Sequence, residues 1–188
     1  NFIESTYSIP KDVLLVGYIG RLVEWKNVDF LIKCFLEYSK HCDCAVHMLI
    51  VGTGRDEYVS VLKKLANTAN ITFAGFNNRP NKIISGFDVL VAPSNIEPFG
   101  RTLVESMIQK TPIIAARGGG HLEIIKHRTT GWLYDHGNTD DFIMQINEVI
   151  NECKIVENVV KRAYKYACLK FSSTEHVKNI INIYNQLR

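Results

Sequence analysis

This sequence lacks several features that would place it in a specialised class of protein. It has no run of 18 apolar residues, so no membrane-spanning helix is expected. Its formal net charge is only +3, which is too small to indicate nucleic acid as a partner. The apolar fraction of 46% and the charged fraction of 22% are ordinary for a globular protein, and 188 residues suffice for one domain with a substantial core.

Metal-binding patterns are scarce as well. The five cysteines form no C-x2-C pair, and the chain has neither a D-x-D triplet nor a cluster of His and Asp residues at ligand spacing. We therefore expect no metal site, no cofactor, and free thiols in a reducing compartment. The expected location is the cytoplasm, either free or peripheral at the inner face of a membrane.

What the sequence does contain is a regular alternation of short apolar runs and longer amphipathic segments. Apolar runs alternating with helices are typical of an α/β fold, here a Rossmann-like, doubly wound parallel sheet of about six strands. The predicted strands are 13–20, 45–52, 70–75, 87–94, 112–116 and 131–134. The predicted helices are 27–40, 55–68, 80–85, 100–110, a short one after the glycine triplet, and 139 to the end with breaks near Asn151 and at 171–175.

Ligands of such sheets bind beyond the carboxyl ends of the strands, which directs attention to the loops there. The first loop, "GYIGRLVEWKN", places Arg21 and Lys26 after a turn at Gly20. Two cations beside a helix start can clamp a diphosphate. Taken alone, the pair is better explained as two solvated surface charges.

Two further loops are rich in glycine. In "VGTGRDE", Gly52 and Gly54 begin a G-x-G-x-x-G pattern, but Glu57 stands where the third glycine belongs, which disfavours a nicotinamide or flavin site. In "RGGGHLEI", three glycines indicate a close approach of the backbone to another group. Glu123 in that loop is either a structural cap or a ligand-binding group.

The stretch "EPFGRTLVE" places two carboxylates on either side of a predicted helix start. Glu97 precedes the helix, and Glu105 lies inside it. The free backbone N–H groups of the first turn can bind anionic or hydroxyl oxygens. Two carboxylates so placed can accept hydrogen bonds from two sets of hydroxyls on one extended ligand, as in a nucleotide sugar. A loop charge and an exposed helix residue remain the alternative.

In combination these motifs resemble a known family. "GRLVEWKN", "IVGTGR", "ITFAGF", "VLVAPSNIEPFGRTLVE" and "GGGHLEI…TTGWLY" are similar, in this order, to the C-terminal half of the GT-B fold in retaining glycosyltransferases of family GT4, also called group 1. The resemblance covers about residues 12 to 187. It implies a metal-independent hexosyltransferase that moves a sugar from a nucleoside diphosphate, UDP- or GDP-linked, to a glycan, lipid or small-molecule acceptor.

The resemblance also implies roles for individual residues. Arg21 and Lys26 would stabilise the departing diphosphate, and Glu97 would contact the transferred sugar, as the catalytic group of residues. Glu105 would bind the ribose hydroxyls. The remaining donor-binding residues implied are Gly20, Phe99, Gly100, Arg101 and Thr102 near the phosphates and sugar, and Gly52, Phe76 and Asn77 near the base.

Only one of the family's two domains is represented. We expect residues 1–11 to be the remnant of an interdomain linker and residues 12–188 to be the donor-binding domain, with helix 174–187 packing toward an N-terminal domain as its partner. Alone, the domain is expected to have little or no activity. Two alternatives stay open: a nucleotide-sugar epimerase relative of the same fold, and a non-catalytic nucleotide-binding or interaction module.

Overall fold

The computed structural model describes residues 2–67 and 70–186, and these form one six-stranded parallel sheet. The strand order is β3-β2-β1-β4-β5-β6, which confirms the predicted doubly wound α/β class. All six predicted strands are present, each shorter than predicted by one or two residues at one or both ends. They are β1 (Leu14–Ile19), β2 (Val46–Val51), β3 (Ile71–Gly75), β4 (Val89–Ala92), β5 (Ile113–Ala116) and β6 (Trp132–Tyr134).

Helices flank the sheet, and their bounds follow the apolar periodicity closely. The break predicted near Asn151 separates two long helices, and Ser172 caps the last helix by accepting from the Glu175 backbone N–H at 3.2 Å. The helices are α1 (Phe2–Tyr7), α2 (Val28–His41), α3 (Asp56–Leu65), α4 (Pro80–Ile84), α5 (Arg101–Gln109), α6 (His121–Ile124), α7 (Thr139–Asn151), α8 (Cys153–Lys170) and α9 (Ser173–Gln186). Asn1, Thr68, Leu187 and Arg188, which fall in predicted segments, lie outside the described residues.

The core has two layers because successive side chains of each strand point to opposite faces of the sheet. On β2, Met48 and Ile50 join one layer, and Leu49 and Val51 join the other. Helices α2, α3 and α7 cover the first layer, whereas α1, α4, α5 and α6 cover the second. Burial on both faces explains why the strands are apolar throughout.

Helix α1 was not predicted from the sequence. Residues 1–11 were expected to be a linker remnant, yet Ile3 is fully buried against Ile83 and Gly86. The Cδ1 atom of Ile3 lies so close to Gly86 that a Cβ on this glycine would be 2.5 Å away. The segment is therefore part of the packed domain, and its assignment as a linker stays a prediction.

The order of the strands places a topological switch point between β1 and β4. Chain connections leave these two neighbours in opposite directions, so their carboxyl-end loops part and leave a crevice. The loops that carry Arg21, Lys26 and Glu97 follow these two strands. The fold thus positions the predicted site residues at the place where ligands bind in open sheets of this kind.

Candidate functional site

The loop after β1 is a short, firmly anchored turn. The Tyr18 hydroxyl donates to the Arg21 carbonyl oxygen at 2.8 Å, and burial raises the pKa of that hydroxyl above its ordinary value. A single 3-10 turn follows over Glu24–Lys26. The Ser94 hydroxyl, after β4, donates to the Trp25 carbonyl oxygen at 3.1 Å. Arg21 and Lys26 are therefore held by a turn that is tied to the neighbouring strand.

The loop after β2 contacts the loop after β1 backbone to backbone. The Leu22 N–H donates to the Thr53 carbonyl oxygen at 2.8 Å, and a Cβ on Gly52 would lie 1.8 Å from the Gly20 carbonyl oxygen. A Cβ on Gly54 would lie 1.9 Å from the Leu22 carbonyl oxygen. The glycines of "VGTGR" are thus explained by the close approach of two loops and not by a dinucleotide fingerprint.

Helix α5 begins at the carboxyl end of β4, as the sequence predicted. Gly100 precedes it with φ of +86°, a left-handed conformation that favours glycine. In the described part of the chain, no acceptor is recorded for the backbone N–H groups of Phe99, Gly100, Arg101 and Thr102. The positive end of the helix dipole therefore presents free donors to the crevice.

The glycine triplet packs against the loop that precedes α5. A Cβ on Gly118 would lie 2.4 Å from the Asn95 carbonyl oxygen, and one on Gly119 would lie 2.6 Å from that of Glu97. The Gly120 N–H also donates to the Glu97 carbonyl oxygen at 2.7 Å. These contacts fix the backbone that carries Glu97, and they identify the group that the three glycines approach.

A cavity of about 500 Å³ lies where the loops converge. This volume is within the range of sites for small organic ligands. Eight of the twelve predicted site residues line this cavity: Gly20, Arg21, Gly52, Phe76, Asn77, Arg101, Thr102 and Glu105. The topology thus brings together residues from four separate segments of the chain.

Lys26 and Glu97 line a second, narrow cavity that adjoins the first. Ile19 and Thr102 contribute to both cavities, so the two form one continuous crevice across the start of α5. Lys26 and Glu97 form an ion pair in which each side chain is only 16% exposed. Glu105 pairs with Arg101 at 3.1 Å. Three cations and two carboxylates therefore surround the crevice and leave a net positive charge.

The side chains of two predicted residues contact other parts of the protein. The Asn77 amide donates to the Tyr7 hydroxyl at 2.9 Å and accepts from the Arg79 backbone N–H at 2.7 Å, so its polar atoms already have protein partners. The Phe99 ring packs edge-on against Phe171, with centroids 6.1 Å apart. Only the backbone of Phe99 is available for the predicted contact.

Sequence reasoning missed two residues that lie against the site residues. His121 is buried beside the α5 loop, its Nδ1 lies 2.9 Å from the Ala116 carbonyl oxygen, and burial lowers its pKa. Trp25 lies beneath both predicted cations, with Lys26 Nζ 4.4 Å and Arg21 Cζ 5.7 Å from its ring centroid. The sequence does contain a sign of this arrangement, because Trp25 lies between Arg21 and Lys26 in "RLVEWK".

Residues 2–67 and 70–186 contain neither a metal-binding cluster nor a membrane-spanning helix. In these ranges no three His, Cys, Asp or Glu side chains converge as a metal site would require. No helix there combines the length and the apolar character needed to span a bilayer.

Comparison with known proteins yields the same family as the motifs. The family model for glycosyl transferases group 1 matches residues 2–166. An uncharacterised glycosyltransferase of Methanocaldococcus jannaschii is 29% identical over 181 residues, which make up 94% of this chain and 46% of the relative. The chain therefore spans about half the length of this relative.

Solved structures of other proteins have the same fold as this chain. The HepE protein of Anabaena, solved in complex with UDP-glucose, is 26% identical to this chain and superimposes with a TM-score of 0.84. The match covers 93% of this chain and 49% of HepE. The C-terminal domain of a group 1 glycosyltransferase from Francisella tularensis has a TM-score of 0.74 at 22% identity, with 88% of this chain and 89% of that domain covered. The latter likeness shows the fold alone. From the match of the family model, the chain belongs to the group 1 glycosyltransferases.

Proposed function

We propose that this chain is the donor-binding domain of a retaining, metal-independent hexosyltransferase that uses a nucleoside diphosphate sugar. The observation that carries the proposal is the single crevice at the switch point, lined by Arg21, Lys26, Glu97, Glu105 and the first turn of α5. A nucleotide sugar has a matching order of groups: base, ribose, diphosphate and sugar.

The diphosphate lies at the start of α5 in this proposal. Free backbone N–H groups there bind phosphate oxygens, and Arg21 and Lys26 approach from the loop after β1. As the bond between sugar and diphosphate breaks, negative charge grows on the leaving phosphate. Two fixed cations and a helix terminus stabilise that charge more than they stabilise the ground state, which is how they accelerate transfer.

The two carboxylates bind hydroxyl groups on either side of the diphosphate. Glu105 lines the larger cavity together with Phe76 and Gly52, which supports its assignment to the ribose and the base side. Glu97 lines the narrower cavity with Lys26, which supports its assignment to the transferred sugar. Each carboxylate exchanges its present cation for hydroxyl donors when the cation turns to the phosphate.

UDP is the nucleotide that we expect, in preference to GDP. The Anabaena protein with the similar fold was solved with UDP-glucose, at an identity of 26%. The acceptor and any turnover depend on the partner domain of the proposed enzyme. We therefore expect this chain alone to bind the donor and to transfer sugar poorly.

A thermal-unfolding experiment tests the proposal. The protein is heated with UDP, GDP, ADP, UDP-glucose or uridine, each at increasing concentration. A ligand at 100 times its Kd stabilises the folded state by about 2.7 kcal/mol. For a chain of this size that corresponds to roughly 5–10 °C.

The variants Glu105→Ala and Glu37→Ala make a matched pair. Glu105 lines the cavity, whereas Glu37 lies on the exposed face of α2 and pairs with Lys40. We expect the shift with UDP to disappear in Glu105→Ala and to persist in Glu37→Ala. An absence of any shift with every nucleotide would instead favour a non-catalytic interaction module.

A further inference from the structure

Trp25 occupies a position that the proposed chemistry does not itself require. Its partly buried ring lies under both cations of the crevice, with Lys26 Nζ 4.4 Å and Arg21 Cζ 5.7 Å from the centroid. Cations within about 6 Å of an indole face are attracted to it, and tryptophan is the strongest aromatic partner. The Trp25 ring therefore contacts the positively charged groups of both Arg21 and Lys26.

The backbone of Trp25 is itself fixed. Its carbonyl oxygen accepts from the buried Ser94 hydroxyl at 3.1 Å, and the Lys26 N–H donates to the Val23 carbonyl oxygen at 2.9 Å. Asn27 adds a contact from its amide to the Pro93 carbonyl oxygen at 3.4 Å. The ring thus projects from a turn that is anchored to the end of β4, on the other side of the crevice.

The two cations depend on this ring to different degrees. Lys26 also has Glu97 as a partner. Within the described part of the chain, no carboxylate pairs with Arg21, whose side chain is exposed, so Trp25 is the one recorded contact of its guanidinium. A free arginine samples many rotamers, and ordering one such side chain on binding lowers affinity about two- to twelve-fold.

We propose that Trp25 is a positioning residue that preorganises Arg21 and Lys26 for the diphosphate, an inference that rests on the proposed donor site. A ring beneath a cation leaves the N–H donors at the edge of the guanidinium or ammonium group available to phosphate oxygens. Trp25 acts through the two cations and is assigned no contact with the substrate.

Calorimetric titration of UDP and of uridine into single and double variants tests this role. We expect Trp25→Leu to weaken UDP binding about tenfold while uridine binding changes less than twofold, because only UDP uses the cations. Trp25→Phe retains an aromatic face and should bind UDP within about threefold of the wild type. The control Tyr164→Leu removes the contact of Lys110 with a ring outside the crevice and should leave both affinities unchanged.

A double-mutant cycle separates positioning from a merely structural effect. If Trp25 acts through Arg21, Trp25→Leu should cost clearly less UDP affinity in an Arg21→Ala background than in the wild type. Additive losses, equal losses for UDP and uridine, or no recovery in Trp25→Phe would overturn the role of Trp25. Failure of the wild type to bind UDP, GDP or ADP would overturn the proposed donor site itself.

Discussion

At the scale of single residues, the two cations of the proposed clamp differ in their surroundings. Lys26 shares an ion pair with Glu97 in which both side chains are 16% exposed, whereas the Arg21 side chain is exposed. Removal of Lys26 leaves a largely desolvated carboxylate without its partner, which costs about 1–3 kcal/mol. Removal of Arg21 leaves no such group. Removal of either cation should therefore weaken diphosphate binding, but only removal of Lys26 should also lower the free energy of unfolding.

We expect both Arg21→Ala and Lys26→Ala to weaken UDP binding at least tenfold, with little effect on uridine. Only Lys26→Ala should also lower the free energy of unfolding, by about 1–3 kcal/mol. Calorimetric titration gives the affinities, and urea denaturation of the ligand-free protein gives the stability. Equal losses of UDP and uridine affinity in either variant would refute the diphosphate clamp.

At the scale of elements, the six strands could be predicted because each is a continuous apolar run buried on both faces. Helix α1 could not be predicted, because the segment FIESTY is too short to show a helical repeat. It is held in place by Ile3, which packs near Ile83 and Gly86, about 80 residues further along the chain. The crevice itself was predictable because ligand sites of doubly wound sheets follow from topology.

The directions of individual side chains around that crevice could not be predicted from the sequence. Asn77 turns toward the Tyr7 hydroxyl, and Phe99 toward Phe171. Tyr7 and Phe171 are both far in sequence from the residues that they contact, and no local sequence pattern predicts these contacts. The glycine triplet was correctly interpreted as a close-approach turn, but the group it approaches, the backbone at Asn95 and Glu97, emerged only from the fold.

A prediction at this scale concerns the anchoring of α1. The Ile3 side chain is fully buried, so Ile3→Ala should lower the free energy of unfolding by about 2–5 kcal/mol. Ser5→Ala, on the exposed side of the same helix, should change it by less than about 0.5 kcal/mol. Urea denaturation followed by circular dichroism measures both values. A small effect of Ile3→Ala would show that α1 is dispensable and would favour its assignment as a mere linker.

At the scale of the whole molecule, the last helix carries an exposed apolar stripe. On α9, Val177, Ile180, Ile181 and Tyr184 share a helical stripe and are exposed. The predicted packing of this helix toward a partner domain accounts for such a stripe. That packing stays a prediction.

The buried histidines make the stability of the whole domain depend on pH. Burial lowers the pKa of both His47 and His121 below the ordinary value of 6.5. As the pH falls through about 6.5, the unfolded chain binds protons that the folded chain does not, so the folded state loses stability. Each histidine costs up to about 1.4 kcal/mol per pH unit until its folded pKa is reached.

Carboxylates act in a different pH window. Burial acts to raise the pKa of Glu148, but hydrogen bonding and charge from Arg128 outweigh it and hold the pKa below its ordinary 4.5. The stability from this pair is therefore present above about pH 4.5 and is lost only as the pH falls further. Measurements between pH 7.5 and 5.5 thus report mainly on the histidines.

The variant His121→Asn isolates one of these groups. An asparagine amide can replace Nδ1 as the donor to the Ala116 carbonyl oxygen, without a titrating ring. In ligand-free urea denaturation at pH 7.5, 6.5 and 5.5, we expect the wild type to lose stability steadily and His121→Asn to lose about 1 kcal/mol less over the same interval. If His121→Asn and the wild type followed parallel curves, then His121 would take up its proton equally in both states, and burial would not govern its titration.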